Sequence, residues 1–143
     1  MATAGQLVAR KGDPIAALPP DATVLEAASL MNDRHIGSVL VIDQDQLVGI
    51  FTERDVMRRI VAEERSASTT QLEDVMTRQV ACAALHTRLD EIRAVMRSRR
   101  IRHIPVLEGR RVMGMISIGD LNKADHDGQA ETIKYLEQFM SVT

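Results

Sequence analysis

The stretch Gly49–Asp55 reads GIFTERD, and further along the chain Gly114–Asp120 reads GMISIGD. Each copy has a glycine, two apolar residues, a hydroxyl residue and, three positions after the hydroxyl, an aspartate. An internal repeat of this kind indicates one supersecondary unit that occurs twice. Outside the heptapeptides the same spacing continues without a gap, and the matched positions are Glu26 with Glu91, Met31 with Met96, Arg34 with Arg99, Ile36 with Ile101 and Val41 with Val106.

The first copy predicts a helix, a β-hairpin and a second helix. Thr23–Glu26 has the pattern of a capping box, and the apolar spacing after it predicts a helix that ends near Arg34. Two apolar runs on either side of a polar turn predict a hairpin. The expected strands are 38–42 and 47–51, followed by a helix from Asp55 to about Glu64 with Val56, Ile60 and Val61 facing inward.

The second copy predicts the same elements in the same order. A helix capped at Thr87 is followed by strands at 104–107 and 112–116 and by a helix from Asp120. The polar stretch after the first copy is typical of a connection. We therefore divide the chain into a first unit at 11–64, a linker at 65–74 and a second unit at 75–125.

The two ends of the chain differ from the repeats. Lys11–Pro20 contains three of the four prolines and is expected to form an extended lead-in, with a short strand near Ile15 and Leu18. The C-terminal segment 126–143 has apolar residues at helical spacing, which predicts an amphipathic helix. The apolar positions of this helix are Ile133, Leu136 and Met140.

The composition of the chain excludes several classes of function. A net charge of −2 and an aromatic content of 2% provide neither a basic surface nor stacking platforms for nucleic acid. No apolar stretch approaches the roughly 20 residues that cross a bilayer, and the first residues lack a signal core. The single cysteine, Cys82, excludes a cysteine-based zinc site. We expect a cytoplasmic protein that binds neither nucleic acid, membrane nor metal.

The repeated hydroxyl and carboxylate have two interpretations. A Ser or Thr followed three residues later by an acid caps a helix, which contributes ~1 kcal/mol and needs no ligand. The free amides at a helix start also bind anions, and a carboxylate one turn further can accept hydrogen bonds from ribose hydroxyls. Thr52–Asp55 and Ser117–Asp120 fit both interpretations.

Basic residues suited to phosphate lie near the second copy of this motif. Arg102 and His103 stand at the start of a predicted strand, where the first copy has Gly37 and Ser38. Small residues at that point would let a flat ring approach the backbone closely. The two copies therefore offer related sites with different charges.

Four segments carry a resemblance to a known family. Residues 36–39, 49–55, 102–106 and 114–120 resemble a tandem pair of CBS domains, named for cystathionine β-synthase, and the similarity extends over about residues 11–125. It implies a mixed α/β (α+β) fold of two β-α-β-β-α units packed with pseudo-two-fold symmetry. It also implies two clefts that bind adenine nucleotides such as AMP, ADP, ATP, NAD or S-adenosylmethionine.

By this resemblance, Asp55 would hold the ribose in the first cleft, Thr52 would lie near phosphate, and the backbone of 36–39 would contact adenine. Arg102 or His103 of the other copy would reach the phosphate. The residues expected in the first cleft are Ile36, Gly37, Ser38, Val39, Thr52, Arg54, Asp55, Arg102 and His103.

In the second cleft the resemblance gives Asp120 and Ser117 the corresponding roles. Its opposite wall, at Gly37 or Ser38, is uncharged, so a phosphate there would need Lys11 or Arg54. The residues expected in the second cleft are Lys11, Ile101, Arg102, His103, Ile104, Ser117, Gly119 and Asp120. The first cleft is therefore expected to be the better phosphate site.

The function expected on this basis is a non-catalytic regulatory module that binds an adenine nucleotide and acts through its conformation or its oligomeric state. A homodimer is expected, together with a regulated protein that the sequence does not identify. Two alternatives stay open. The chain could be an interaction module whose Thr52, Asp55, Ser117 and Asp120 only cap helices, or a nucleotide hydrolase that uses a histidine with an acidic residue.

Overall fold

The structure of the protein is a computed structural model that describes residues 2–12 and 14–125. The C-terminal helix predicted at 126–143 lies outside these residues. The elements, in chain order, are α1 (Ala4–Lys11), β1 (Ala17–Leu18), α2 (Val24–Arg34), β2 (Ser38–Asp43), β3 (Gln46–Thr52), α3 (Glu53–Asp55), a π-helix (Val56–Val61), α4 (Leu72–Val75), β4 (Ala83–Ala84), α5 (Leu89–Arg99), β5 (His103–Glu108), β6 (Arg111–Ser117) and α6 (Ile118–Asp125).

The strands form two three-stranded sheets with the same topology. In each sheet the central strand pairs in parallel with a short first strand and antiparallel with the last one, in the orders β1-β2-β3 and β4-β5-β6. The register shifts once in each hairpin, after Val41 and after Val106, which are equivalent positions of the repeat. The expected pair of β-α-β-β-α units is confirmed.

The hairpins and first helices agree with the sequence pattern to within one or two residues. Thr23 accepts a hydrogen bond from the Glu26 amide at 3.1 Å and caps α2 as expected. The expected cap at Thr87 was wrong: the N-cap of α5 is Arg88, because the Thr87 hydroxyl accepts from the Ala84 amide at 2.9 Å instead. The hairpin turn of the first unit has positive φ at Gln44 and Asp45. A two-residue turn of this handedness matches the twist of the flanking strands, so both strands are slightly longer than predicted.

The helix after β3 differs from the expectation in its winding and in one residue. Its second part has i to i+5 hydrogen bonds, for example from Ala62 N–H to the Met57 carbonyl at 3.0 Å. Ile60 is buried as expected, but Val61 is 68% exposed, so its expected inward orientation was wrong. Val61 is rotated by roughly a quarter turn around the helix axis from the buried Ile60. It therefore lies on the same exposed face of the helix as Met57.

The N-terminal helix α1 precedes the first unit but packs on the second. The Ala4 amide donates to the Thr87 carbonyl at 2.7 Å, and the Leu89 amide donates to the Ala2 carbonyl at 3.1 Å. Ala4 and Leu7 are buried in the same apolar cluster as Ile116. The core of the second unit is thus closed by residues from the start of the chain.

Helix α4, which precedes the second unit, makes the equivalent contacts with the first. The Leu72 amide donates to the Ala22 carbonyl at 2.8 Å, and the Val24 amide donates to the Thr70 carbonyl at 2.9 Å. Leu72 and Val75 are buried in the core of the first unit. The two units therefore exchange their leading segments, 2–8 and 70–76.

Helix α1 was not expected from the sequence. Ala4 and Leu72 make equivalent contacts, but they lie further apart in the chain than Asp55 and Asp120 do. The exchanged segments therefore do not follow the spacing of the rest of the repeat. They also share no identical residue, and neither was recognisable as part of the repeat. The extended lead-in that was expected from Lys11 is present only after the helix ends at Gly12, which has a positive φ of 64°.

The exchange can be tested where α1 touches β6. A Cβ on Gly114 would lie 2.5 Å from Cγ1 of Val8, a β-branched side chain with little rotamer freedom. We expect Gly114→Ala to lower the free energy of unfolding by about 1–3 kcal/mol through overpacking. In a Val8→Ala background, where both clashing methyls are gone, the same change should cost under about 1 kcal/mol in urea unfolding.

Gly119→Ala is the matched control, because the nearest atom to its Cβ would be Ser117 Oγ at an ordinary 3.6 Å. This substitution should change the free energy of unfolding by less than about 1 kcal/mol. An undiminished cost of Gly114→Ala in the Val8→Ala background would contradict the packing of α1 on the second unit.

Candidate functional site

Two clefts lie where the units face each other. Strands β3 and β6 contact each other across the two units, and each hydroxyl-to-Asp turn lies opposite the start of the other unit's hairpin. The first cleft, with a volume of about 490 Å³, contains Thr52 and Asp55. The second, of about 680 Å³, contains Ser117 and Asp120.

The turn at the first cleft is a reciprocal helix cap. The Thr52 amide donates to Asp55 Oδ2 at 3.0 Å, and the Asp55 amide donates to Thr52 Oγ1 at 3.3 Å. The other carboxylate oxygen, Oδ1, accepts from the Thr77 hydroxyl at 3.4 Å and lies 3.5 Å from Nε of Arg59. Asp55 is 8% exposed. The cap thus fixes one carboxylate oxygen and directs the other toward polar groups.

Arginines form one wall of the first cleft. Arg54 and Arg102 were expected there, and the structure adds Arg58, Arg59, Arg99 and Arg100. Arg100 caps the end of α5 with a positive φ of 55°. The sequence showed the arginine run near residue 100 but not its position, because a charged helix end is usually only solvated.

The second cleft is built from the same backbone parts but carries different charges. The Ser117 amide donates to Asp120 Oδ2 at 2.8 Å, and the Lys11 ammonium donates to the same oxygen at 2.9 Å. Lys11 also donates to the Met115 carbonyl at 3.1 Å. Arg34 and His35, which the sequence analysis did not assign to a site, line the cleft as well. Lys11 arrives from the exchanged helix α1.

The contacts of Asp120 favour its charged form. Burial raises the pKa of this carboxyl, but the hydrogen bonds from the Ser117 amide and the Lys11 ammonium outweigh burial and hold the pKa below its usual range. The Asp120 amide donates to the Ser117 hydroxyl at 3.1 Å, which completes a cap like that of the first unit. Asp120 is therefore a carboxylate paired with a lysine.

His103 lies between the two clefts and lines both of them. Its ring is also next to Gly37, where an added Cβ would lie 3.3 Å from the imidazole Nε2. Burial lowers the pKa of His103; the charges of Glu53 and Asp120 oppose this, those of Lys11 and Arg102 add to it, and the net direction is downward. The imidazole is thus held in its neutral form at the centre of the molecule.

The structure places some strand segments in the other cleft from the one expected. Ile36 and Ser38 were expected in the first cleft but line the second. Ile101 was expected in the second cleft and lines the first, and Arg102, expected in both, lines only the first of the two. The reason is the pseudo-two-fold arrangement, which sets the start of each hairpin opposite the turn of the other unit.

Four further expectations are not met by the lining of the clefts. Val39 and Ile104 are buried in the cores of their own units, because their side chains point away from the clefts. Gly119 does not line the second cleft. Arg54, which was considered beside Lys11 for a phosphate in the second cleft, lines the first instead.

The remaining expected residues do come together. Those that meet in the first cleft are Gly37, Thr52, Arg54, Asp55, Arg102 and His103. Those that meet in the second are Lys11, His103, Ser117 and Asp120.

Within residues 2–12 and 14–125, no group of three or more His, Cys, Asp or Glu side chains is placed to hold a metal ion. No helix in the same part of the chain is long and apolar enough to cross a membrane.

The sequence profile of the CBS domain matches residues 6–62 and 72–127. The chain belongs to the CBS-domain family. It is 34% identical over 125 residues to the CBS domain-containing protein CBSX3, mitochondrial, of Arabidopsis thaliana, a match that covers 84% of the chain and 61% of that relative. The chain thus spans less than two thirds of the relative's length.

Solved CBS-domain structures have the same fold. The crystal structure of the CBS domain protein NE2398 has a TM-score of 0.83 and 38% identity, and the match covers 87% of this chain and 97% of the other. The CBS domain pair of protein MJ0100 shares the fold, with a TM-score of 0.80 and 22% identity. This match covers 90% of this chain and 99% of the MJ0100 chain. The family assignment made from the repeated segments is confirmed.

The neutral His103 predicts how stability depends on pH. Its pKa in the folded protein lies below the ordinary 6.5, so the unfolded chain takes up its proton first as the pH falls. We expect the free energy of unfolding to decrease as the pH drops from about 6.5. Urea unfolding of wild type and His103→Gln at several pH values measures this, and the substituted protein should lose much of the slope.

His86→Gln is the control, because His86 is exposed and lines neither cleft. It should keep the wild-type slope, and equal slopes for all three proteins would contradict the burial of a neutral His103. Asp120 acts at lower pH: its pKa lies below 3.8, so its contribution is present above that value and is lost as the pH falls through the folded pKa.

Proposed function

We propose that the protein is a non-catalytic regulatory module that binds an adenosine-containing nucleotide, such as AMP, ADP, ATP or NAD, in the clefts between its two CBS units. The observation that carries this proposal is the capped Asp55 at the edge of a cleft whose opposite wall is cationic. A ribose accepts and donates hydrogen bonds on one side of that cleft, and phosphates meet arginines on the other.

In the first cleft each group has a role that its contacts support. Oδ1 of Asp55 can exchange its long contact with the Thr77 hydroxyl, at 3.4 Å, for a ribose hydroxyl. The Thr52 hydroxyl stays in the cap. Arg102 and Arg54 lie on the cationic wall, where guanidinium groups bind phosphate oxygens in pairs.

The second cleft binds a less anionic ligand, because its lysine is paired with its carboxylate and, among the described residues, Arg34 is the one arginine in its lining, against six in the first cleft. Lys11 neutralises Asp120 at 2.9 Å. A ligand's ribose at Asp120 would share the carboxylate with this ammonium, and a phosphate would have to bind Arg34 alone or draw Lys11 away. We therefore assign the nucleotide phosphates to the first cleft.

A structural relative supports this class of ligand. The CBS domain pair of MJ0100 was crystallised in complex with 5′-methylthioadenosine and S-adenosyl-L-methionine, both of which contain adenosine. Output through binding requires that the ligand prefer one conformation of the two units.

Thermal denaturation with AMP, ATP, NAD and S-adenosylmethionine tests the proposal. At 100 times its Kd a ligand stabilises the folded state by about 2.7 kcal/mol, which raises the Tm of a chain of this size by several degrees. Asp55→Asn keeps the shape of the cap but lacks the second anionic oxygen. We expect it to weaken binding at least about tenfold, by the loss of a charged hydrogen bond.

Asp120→Asn is the matched substitution in the second cleft and should leave binding to the first cleft within about threefold, because the two carboxylates line different cavities. No shift with any of the four ligands would contradict ligand sensing and favour an interaction module. Turnover of a nucleotide by the purified protein would identify an enzyme instead.

We also propose that the protein is a homodimer. Met57 is 57% exposed and Val61 is 68% exposed, and the two lie about one turn apart on the helix after Asp55. An apolar pair on one face of a helix favours burial against a second subunit. This helix also carries Arg58, which lines the first cleft, so the interface would be next to the ligand.

A charge in this face should prevent dimer formation. We expect the wild-type protein to sediment as a dimer at micromolar concentration and Val61→Glu to sediment as a monomer, because a buried unpaired carboxylate is costly. Leu25→Glu is the control, since Leu25 is 50% exposed on a different helix. A monomeric wild type, or a Val61→Glu variant that stays dimeric, would contradict the proposed interface.

A further inference from the structure

A second basic cavity lies beside the first cleft. Its floor is formed by three apolar side chains of the second unit, Met96, Ile101 and Ile118, and its volume is about 380 Å³. Its walls are five arginines: Arg54, Arg93, Arg97, Arg100 and Arg102. We call this cavity the arginine pocket.

Two of these arginines already have partners. Arg93 donates to the Leu121 carbonyl at 3.2 Å and forms an ion pair with Asp125. Arg54 donates to the Arg100 carbonyl at 2.8 Å. These contacts fix the position of the two side chains at the edge of the pocket.

The other three wall residues have no ion-pair partner in the part of the chain that the structure describes. The side chains of Arg97, Arg100 and Arg102 make no hydrogen bond or ion pair with any residue in 2–12 or 14–125. Three cations on one wall repel each other, and the chain as a whole is slightly acidic, with a net charge of −2. A polyanion in the pocket would remove this repulsion.

The fold itself does not require these charges. In the repeat, the positions of Arg97, Arg100 and Arg102 correspond to Asn32, His35 and Gly37 of the first unit. The first unit forms the same helix, cap and hairpin without the three arginines. The three arginines are therefore a feature of the second unit and not of the repeated fold.

The arginine pocket and the first cleft are continuous. Arg54, Arg100, Ile101 and Arg102 line both cavities. An anionic chain that begins in the cleft can therefore continue along the Arg54 and Arg102 side chains into the arginine pocket without leaving the cationic surface. Arg97 lines the arginine pocket but not the first cleft. A substitution of Arg97 therefore tests ligand binding by the pocket without changing the lining of the cleft.

We propose that the arginine pocket binds the distal phosphates of a nucleoside polyphosphate whose nucleoside lies in the first cleft, an inference that rests on the proposed function. Guanidinium groups suit this chemistry because their donors match two phosphate oxygens at once. The pocket makes the first cleft prefer a triphosphate to a monophosphate. The second cleft lacks the equivalent arginines, because His35 and Gly37 line it in place of Arg100 and Arg102.

Calorimetric titration of the full chain with AMP and with ATP, at one ionic strength, tests the proposal. The variant is Arg97→Asn, which installs the residue that the first unit has at the equivalent position. We expect the wild type to bind ATP at least about tenfold more tightly than AMP. Arg97→Asn should weaken ATP binding about 3- to 10-fold and leave AMP binding within about twofold.

Arg110→Asn is the charge-matched control, because Arg110 is an exposed arginine on the hairpin turn of the second unit and lines neither the first cleft nor the arginine pocket. It should change neither affinity by more than about twofold, since it removes only a distant, screened charge. Equal wild-type affinities for AMP and ATP, or equal losses for both in Arg97→Asn, would overturn the arginine pocket while leaving the proposed function intact. If the wild type binds neither AMP nor ATP, the arginine pocket is overturned, and the proposed function is overturned with it only if NAD and S-adenosylmethionine also fail to bind.

Discussion

The exchange of leading segments is the constraint on which the rest of the structure depends. Neither unit closes its own core. Leu7, which lies before the first unit in the chain, fills the core of the second, and Leu72, which lies before the second unit, fills the core of the first. Apolar burial therefore holds the two units together as well as holding each one. The same exchange delivers polar groups to the clefts, since Lys11 ends α1 beside Asp120 and Thr77 follows α4 beside Asp55.

A symmetric backbone carries an asymmetric distribution of charge. The caps at Thr52 and Ser117 are alike, and both place a carboxylate at the mouth of a cleft. Their surroundings differ because Arg97, Arg100 and Arg102 of one unit have uncharged or weakly basic counterparts in the other. Surface side chains can diverge in this way without cost to the fold, whereas the positions that close each core stay apolar even where their residues differ, as Ala4 and Leu72 do.

The central position of His103 follows from this geometry. The pseudo-two-fold axis brings the starts of the two hairpins together, so one side chain there lines both clefts. Glycine at position 37 leaves room for the imidazole, since a Cβ would lie 3.3 Å from the ring. The pKa of this half-buried histidine depends on the charges of Glu53, Lys11, Asp120 and Arg102 around it.

The repeated unit, the strands and first helices, and the two capped aspartates could be predicted from the sequence, because these depend on local periodicity and on contacts three residues apart. Only the tertiary structure decided that residues 2–8 belong to the second core, that Ile36 and Ile101 lie in opposite clefts from those expected, and that the arginines near residue 100 form a wall. These features join residues far apart in the chain, and no local pattern records such a pairing. Packing of the two units against each other sets them.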